Sequence, residues 1–171
     1  MKRNIYLIGF MGVGKSTIGK LLASEMEGQL VEMDETIEEE QGISINEIFA
    51  KYGEKHFRDL ESELVERIAS GKGSIVSCGG GAVLRNENVE NMKKSGTIVF
   101  LCATPETIYE RVRYSTNRPL LNGNMSVEYI AGLMEKRREI YENAADITIS
   151  TDGKTTIEIV REILLKCKER L

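Results

Sequence analysis

Long apolar runs are missing from this sequence: no segment approaches the roughly 18 apolar residues that a membrane span requires, so no membrane partner is expected. Paired cysteines are missing too. Cys78, Cys102 and Cys167 are odd in number, far apart and set in apolar segments, with no C-x-x-C pair. That pattern argues against a disulfide framework and for reduced, buried thiols in a cytoplasmic protein. There is no basic stripe on a chain of net charge −4 and pI near 5.3, which excludes nucleic acid as an expected partner. Histidine is reduced to His56, which sits beside Phe57 and suits helix surface or packing better than acid–base chemistry. The opening Met1-Lys2-Arg3 before an apolar stretch imitates a secretory leader, but that stretch is glycine-rich and runs straight into Lys15, so export is not expected. Repeats, linkers and low-complexity tracts are absent as well. What remains is a chain of 171 residues suited to one domain (1–171) with a core of its own, and a monomer is the expectation.

What is present starts at Gly9. Gly9-Phe10-Met11-Gly12-Val13-Gly14-Lys15-Ser16-Thr17 is a complete G-x-x-x-x-G-K-[ST] phosphate loop. Ile5 to Ile8 before it is a short apolar run with β-formers, and Ile18, Leu21, Leu22 and Met26 after it are spaced for a helix. Gly12 and Gly14 allow the backbone to turn its N–H groups toward phosphate oxygens at a helix N-terminus. Lys15 can reach the β- and γ-phosphates, and the Ser16 hydroxyl can ligate Mg²⁺. The motif thus names ATP or a relative as ligand.

Apolar runs and helical patterns alternate to the end of the chain. Strands are expected over Gln29–Met33, Ser74–Cys78, Thr97–Cys102 and Asp146–Ser150. Helices are expected over Asp34–Glu40, after the capping box Ser44/Glu47, over Glu54–Ser70, around Asn86–Lys94, from Pro105, from Ser126 and at the C-terminus. From about Tyr114 to Asn124 no period survives, and a mobile loop is expected. Such alternation gives an α/β fold with a parallel sheet covered on both sides.

A phosphate loop does not say what attacks the γ-phosphate. The strand Ser74–Cys78, where a metal-supporting acid is often found, has no carboxylate and ends in Gly79-Gly80-Gly81. Glu32 and Asp34 are the candidates instead: read as strand residues two apart, both project to one side of the sheet at its carboxyl end. One could serve the metal and the other accept a proton from an attacking hydroxyl. The acidic residues 35–40 read as a solvated helix start. The glycine triplet lets a small ligand approach backbone N–H groups closely. Arg58 stands one turn before Glu61, and Leu133, Arg137 and Tyr141 form an i, i+4, i+8 row that turns Arg137 inward and Arg138 outward. An inward Arg needs a partner, either an acidic side chain or an anionic ligand.

Taken in order, the phosphate loop with Ile18-Gly19, Met33-Asp34, Ile48-Phe49, His56-Phe57-Arg58-Asp59-Leu60-Glu61, Cys78-Gly79-Gly80-Gly81-Ala82, Asn117-Arg118-Pro119-Leu120-Leu121 and Arg137 four before Tyr141 resemble shikimate kinases. The resemblance runs from Ile5 to about Asp146. It implies a three-layer, nucleoside-monophosphate-kinase-like P-loop fold with a five-stranded parallel sheet, an acceptor-binding segment at about 34–61 and a mobile lid at about 112–124. It implies transfer of the γ-phosphoryl of ATP, with Mg²⁺, to the 3-hydroxyl of shikimate in aromatic amino-acid biosynthesis. Asp34, Lys15 and Arg118 would then be catalytic. Gly12, Val13, Gly14, Lys15, Ser16, Thr17, Arg111 and Arg118 would bind ATP, Arg111 by stacking on adenine. Arg58, Arg137 and Gly80 would hold the shikimate carboxylate, with Phe49, Phe57, Glu61, Gly79 and Gly81 lining or supporting the pocket. Ser16 and Glu32 would serve the metal, Glu32 through water. Where the family has Asp-x-Asp this chain has Glu32-Met33-Asp34, a longer side chain of the same charge, so a shifted metal requirement is expected.

Two rival readings bear on the same residues. A gluconate or nucleotide kinase shares the fold, though a nucleotide acceptor calls for more Arg and gives no reason for the triple glycine. A regulatory module without catalysis is suggested only by Glu32, and such a module would not need Lys15, Ser16, Asp34, Arg58, Arg118 and Arg137 together.

Overall fold

The computed structural model describes residues 3–114 and 126–170. Within them β1 (Asn4–Ile8), β2 (Gln29–Glu32), β3 (Ser74–Ser77), β4 (Gly96–Cys102) and β5 (Ile147–Ser150) form one sheet in the order β2-β3-β1-β4-β5. Every pairing is parallel. Parallel neighbours need crossovers, and these are supplied by α1 (Lys15–Met26), α2 (Met33–Gln41), α3 (Ile45–Ser70), α4 (Asn86–Ser95), α5 (Pro105–Val112) and α6 (Val127–Ala144), with α7 (Thr156–Glu169) closing the chain. The expected α/β architecture with a five-stranded parallel sheet is the observed one.

β1 lies at the centre of the sheet and is buried throughout. Its period of two divides the core. Ile5 and Leu7 pack on one face with Leu22 of α1, Ile108 of α5 and Ile163 of α7. Tyr6 and Ile8 pack on the other with Met33 of α2, Val65 of α3 and Met92 of α4. Each such fully buried aliphatic side chain contributes roughly 1.5–3 kcal/mol, so the two layers fix the sheet between them. The carboxyl ends of β1, β2 and β3 then emerge side by side, which is where ligands bind in open α/β sheets.

Local signals hold at the helix starts. The Ser44 hydroxyl accepts from the Glu47 N–H at 3.2 Å, and Glu47 Oε2 accepts from the Ser44 N–H at 2.9 Å, which is the expected capping box. Thr104 caps α5 with Pro105 in its first turn, and Ser126 caps α6. A second capping box, Thr155 with Glu158, opens α7 and was not anticipated.

Boundaries differ in three informative places. β2 ends at Glu32, and Met33 already belongs to α2, because Met33 and Ile37 must turn together into the core below the sheet. The two-residue alternation therefore does not apply to Asp34, and the reason given for placing Glu32 and Asp34 on one side needs replacing. The two expected helices on either side of Gly53 are continuous over Ile45–Ser70 except at Gly53 itself, whose φ of 84° and ψ of 171° break the spiral. A 3₁₀ turn, Ala82–Leu84, follows the triple glycine. Most of the expected lid, from residue 115 to 124, lies outside the described residues; Val112 is the last residue of α5.

Candidate active site

A cleft of about 1370 Å³ opens over the carboxyl ends of the strands, lined at one end by the phosphate loop and at the other by Asp34, Arg58, Glu61, Gly79–Gly81 and Arg137. Every site residue expected from the sequence lines it except Arg118, which lies outside the described residues. Glu32 and Asp34 both reach the cleft, one from the last position of β2 and the other from the first turn of α2. His56 does not line it and instead packs its ring 5.0 Å from Tyr52.

At the phosphate-loop end the backbone sets the shape. Gly9, Gly12 and Gly14 have φ of 148°, 79° and 106°, values that side chains other than glycine rarely adopt. Gly12 has a packing reason as well, because a Cβ there would lie 2.5 Å from Val112 Cγ1. The Val13 side chain is buried in the core, so this residue offers the cleft only its backbone. Ser16 and Thr17 are exposed at the start of α1, where unpaired N–H groups favour anions. Lys15 folds its ammonium onto the Gly9 and Phe10 carbonyl oxygens at 2.7 and 3.2 Å. Arg111 of α5 donates to the Val13 carbonyl oxygen at 2.8 Å, which ties the loop to that helix.

The other end is built from charged side chains. Arg58 donates to Glu61 Oε1 at 2.6 Å, with Glu61 only 1% exposed. Among the described residues, Arg58 Nε, Glu61 Oε2 and Glu32 Oε1 are buried without a hydrogen-bond partner. The triple glycine is explained residue by residue. A Cβ on Gly79 would lie 2.7 Å from Asp34 Oδ1 and 2.9 Å from Glu61 Oε2. One on Gly80 would lie 3.2 Å from Arg137 Nη1, and one on Gly81 would overlap the Arg58 guanidinium. Four charged groups thus press against three consecutive residues, and a Cβ at Gly79 or Gly81 would displace the groups it meets. Phe49 and Phe57 pack with tilted rings, centroids 5.0 Å apart, and the Arg58 guanidinium sits over the Phe57 ring at 5.3 Å.

Burial sets the electrostatics. Desolvation pushes the Asp34 carboxyl above its usual range; Lys15 and Arg58 oppose this, while Glu38 and Glu32 add to it. Desolvation raises Glu61 in the same way, against the Arg58 charge and with help from Asp34. An acid raised above its ordinary pKa is a stronger base once ionised, which suits Asp34 to taking a proton from a hydroxyl. The oxygens of Ser16 and Glu32, with an unpartnered carboxylate oxygen on the latter, fit a hard divalent cation shared with phosphate. Among the described residues no cluster of three or more acidic, Cys or His side chains could hold a metal alone.

Among the cleft residues that escaped the sequence reading are Lys154, in the turn after β5, and Thr156, the first residue of α7. Lys154 pairs with Glu162 at 2.6 Å, and Asp152 in the same turn accepts from the Thr104 N–H and the Thr107 hydroxyl at 3.0 and 2.7 Å. The general rule that strand carboxyl ends carry ligand sites is the only signal that could have found them.

Comparison with known proteins agrees with this geometry. A family model described as shikimate kinase matches residues 11–168. The shikimate kinase of Persephonella marina is 48% identical over 162 residues, covering 95% of this chain and 97% of that protein. Among solved structures, a shikimate kinase from Acinetobacter baumannii in complex with shikimate superposes with a TM-score of 0.91 at 32% identity, covering 99% of this chain and 95% of that one. The shikimate kinase of Aquifex aeolicus gives 0.83 at 39% identity, with 98% and 97% covered. With its family model spanning most of the chain and its cleft assembled from the expected residues, the protein belongs to the shikimate kinase family.

Proposed function

We infer that this chain transfers the γ-phosphoryl group of ATP to the 3-hydroxyl of shikimate, giving shikimate 3-phosphate and ADP. The observation that carries this reading is the meeting of Asp34, Arg58, Arg137 and the Gly80 backbone in one cleft, opposite the phosphate loop. Planar guanidinium groups suit a carboxylate because they bind it through two parallel N–H bonds. Arg58 and Arg137, with the Gly80 N–H, would hold the shikimate carboxylate and so place a ring hydroxyl near Asp34. Phe49 and Phe57 would shape the wall beside the ring.

Asp34 accepts the proton of that hydroxyl as the oxygen attacks the γ-phosphorus, and the bridging oxygen of ADP leaves with the bond's electron pair. The phosphate-loop N–H groups and Lys15 would stabilise charge spread over the phosphoryl oxygens, and Arg118 would join them. Ser16, and Glu32 through water, would hold Mg²⁺, which when bound would offset the negative charge of the phosphates. Arg111, its edge fixed by the Val13 carbonyl, would stack on adenine. No helix among the described residues is long and apolar enough to cross a membrane.

The test is ADP release from ATP and Mg²⁺ with shikimate, with gluconate, and with neither. Release that depends on shikimate alone supports both reaction and acceptor. Release with gluconate instead would move the chain to another acceptor, and ATP binding with no release for either would favour a module without catalysis.

A further inference from the structure

Tyr141 is the residue the proposed chemistry leaves unused. It lies one turn after Arg137 on the same face of α6, with its ring 3% exposed and stacked on Phe100 of β4 at 5.2 Å. Its hydroxyl donates to the Gly80 carbonyl oxygen at 2.7 Å. Arg137 Nη1 and the Tyr141 hydroxyl flank Gly80 together, 3.2 and 3.6 Å from where a Cβ on that residue would lie. One hydroxyl therefore binds the Gly80 backbone and lies on the same side of it as the Arg137 guanidinium.

We propose that Tyr141 is a positioning residue for acceptor binding, setting the Gly80 backbone and the Arg137 guanidinium at once. The physical need is specific. Gly80 sits in a run of three glycines, and without Cβ atoms its conformation depends on the bonds the segment makes. The backbone ties around it are Ala82 N–H to the Gly79 carbonyl oxygen and Leu84 N–H to the Gly81 carbonyl oxygen, both at 3.1 Å, and neither engages the Gly80 carbonyl. The Tyr141 bond engages it, and so fixes the peptide between Gly80 and Gly81 relative to α6. Because Arg137 rides on α6 as well, Gly80 and the guanidinium are anchored to one helix, while the Ala82-to-Gly79 turn bond orients the peptide that carries the Gly80 N–H. An anion held by both then finds them already in place, which lowers the ordering cost of binding.

This inference rests on the carboxylate reading of Arg137 and Gly80, so Arg137→Ala is measured beside Tyr141→Phe. The Phe variant keeps the ring and its packing on Phe100 and removes only the hydroxyl. Losing one hydrogen bond that orients a charged group should raise the shikimate KM about tenfold, with kcat and the ATP KM within about twofold of wild type. A purely structural hydroxyl would lower stability and weaken both substrates together, and that result overturns the assignment, as does an unchanged shikimate KM. If Arg137→Ala raises the shikimate KM while Tyr141→Phe does not, only the positioning role falls. If Arg137→Ala leaves the shikimate KM unchanged, the carboxylate reading falls and takes the positioning role with it.

Discussion

The phosphate-loop end of the cleft comes from one continuous stretch between β1 and α1 and presents mainly backbone, whereas the acceptor end draws Asp34, Arg58, Glu61, the glycine triplet and Arg137 from α2, α3, the turn after β3 and α6. At the first end the strain lies in three left-handed glycines and the polar groups are N–H donors at a helix start. At the second end, buried side-chain charges are held against each other, and Arg58 Nε and Glu61 Oε2 have no partner among the described residues. Backbone donors work whatever the neighbouring side chains are. Buried charges work only if every member of the group is in place, since removing one strands the others. The acceptor end should therefore be far the more sensitive to single substitutions, and each experiment below tests that asymmetry.

The largest effect is expected at Asp34. Asp34→Asn should lower kcat about 10²–10⁴-fold while changing the shikimate KM little, as for loss of a base acting in the transition state. Equal losses in kcat and in shikimate binding would remove its role as the base. Next is Arg137→Ala, which should cost roughly 2–5 kcal/mol in shikimate binding, because it leaves the partner charge unpaired. Its neighbour supplies the control. Arg138 is 61% exposed and reaches Glu135 and Glu142 at 3.5 and 3.7 Å, so Arg138→Ala should alter shikimate binding by nothing measurable. The reverse pattern would mean that α6 presents the other face to the cleft.

The same contrast governs what could be read from the chain. The phosphate loop was complete in the sequence because all its parts are contiguous and the spacing itself is the mechanism. The sheet, its helices and the capping box at Ser44 were legible for the same reason, being set by periodicity and by neighbours three or four residues apart. At the acceptor end, position and spacing marked Asp34, the glycine triplet, Arg58 and the inward-facing Arg137 as candidates, while their assembly around one acceptor came through family resemblance. Nothing local says that Gly79 faces Asp34 and Glu61 or that Gly81 lies under Arg58, since these contacts join segments far apart in the chain. Asp34 was placed correctly for an insufficient reason: α2 begins at Met33, so its position follows from the first helical turn and not from strand alternation.

Gly53 extends the comparison to the backbone of the acceptor side. Its φ of 84° and ψ of 171° interrupt α3, and a Cβ there would meet nothing within 4 Å. Packing therefore gives no reason for glycine, and conformation gives a strong one. Gly53→Ala should destabilise the protein by about 1–3 kcal/mol in chemical denaturation, through backbone strain alone. It should also disturb shikimate binding more than ATP binding, because Phe49 lies before the break while Phe57 and Arg58 follow it. A fully stable Gly53→Ala would show that α3 can run straight through. A smaller change, about tenfold in apparent Mg²⁺ affinity, is expected for Glu32→Gln if its carboxylate supports the metal. An unaltered Mg²⁺ dependence of the rate would leave Glu32 without that role.

The smallest effect should carry the opposite sign. Asp34 is raised above its usual value chiefly by burial, so the unfolded chain gives up this proton at lower pH than the folded one. Below the unfolded value of about 3.8 both states are protonated and the group costs nothing. As pH rises from there through the folded value, stability is progressively lost, and above it the loss stays constant. Asp34→Asn cannot ionise, so it should melt above wild type at pH 7, and the difference should shrink toward zero as pH falls through the acid range. Glu61 is raised by burial and in part by the Asp34 charge, so Asp34→Asn also relieves Glu61 and adds to the stabilisation expected at pH 7. A variant inactive yet more stable at neutral pH would show that the acceptor end holds a charge against the preference of the fold, as a catalytic base requires. A variant that melts below wild type at pH 7 would mean that Lys15 and Arg58 outweigh burial, and that the base is held by ion pairing instead.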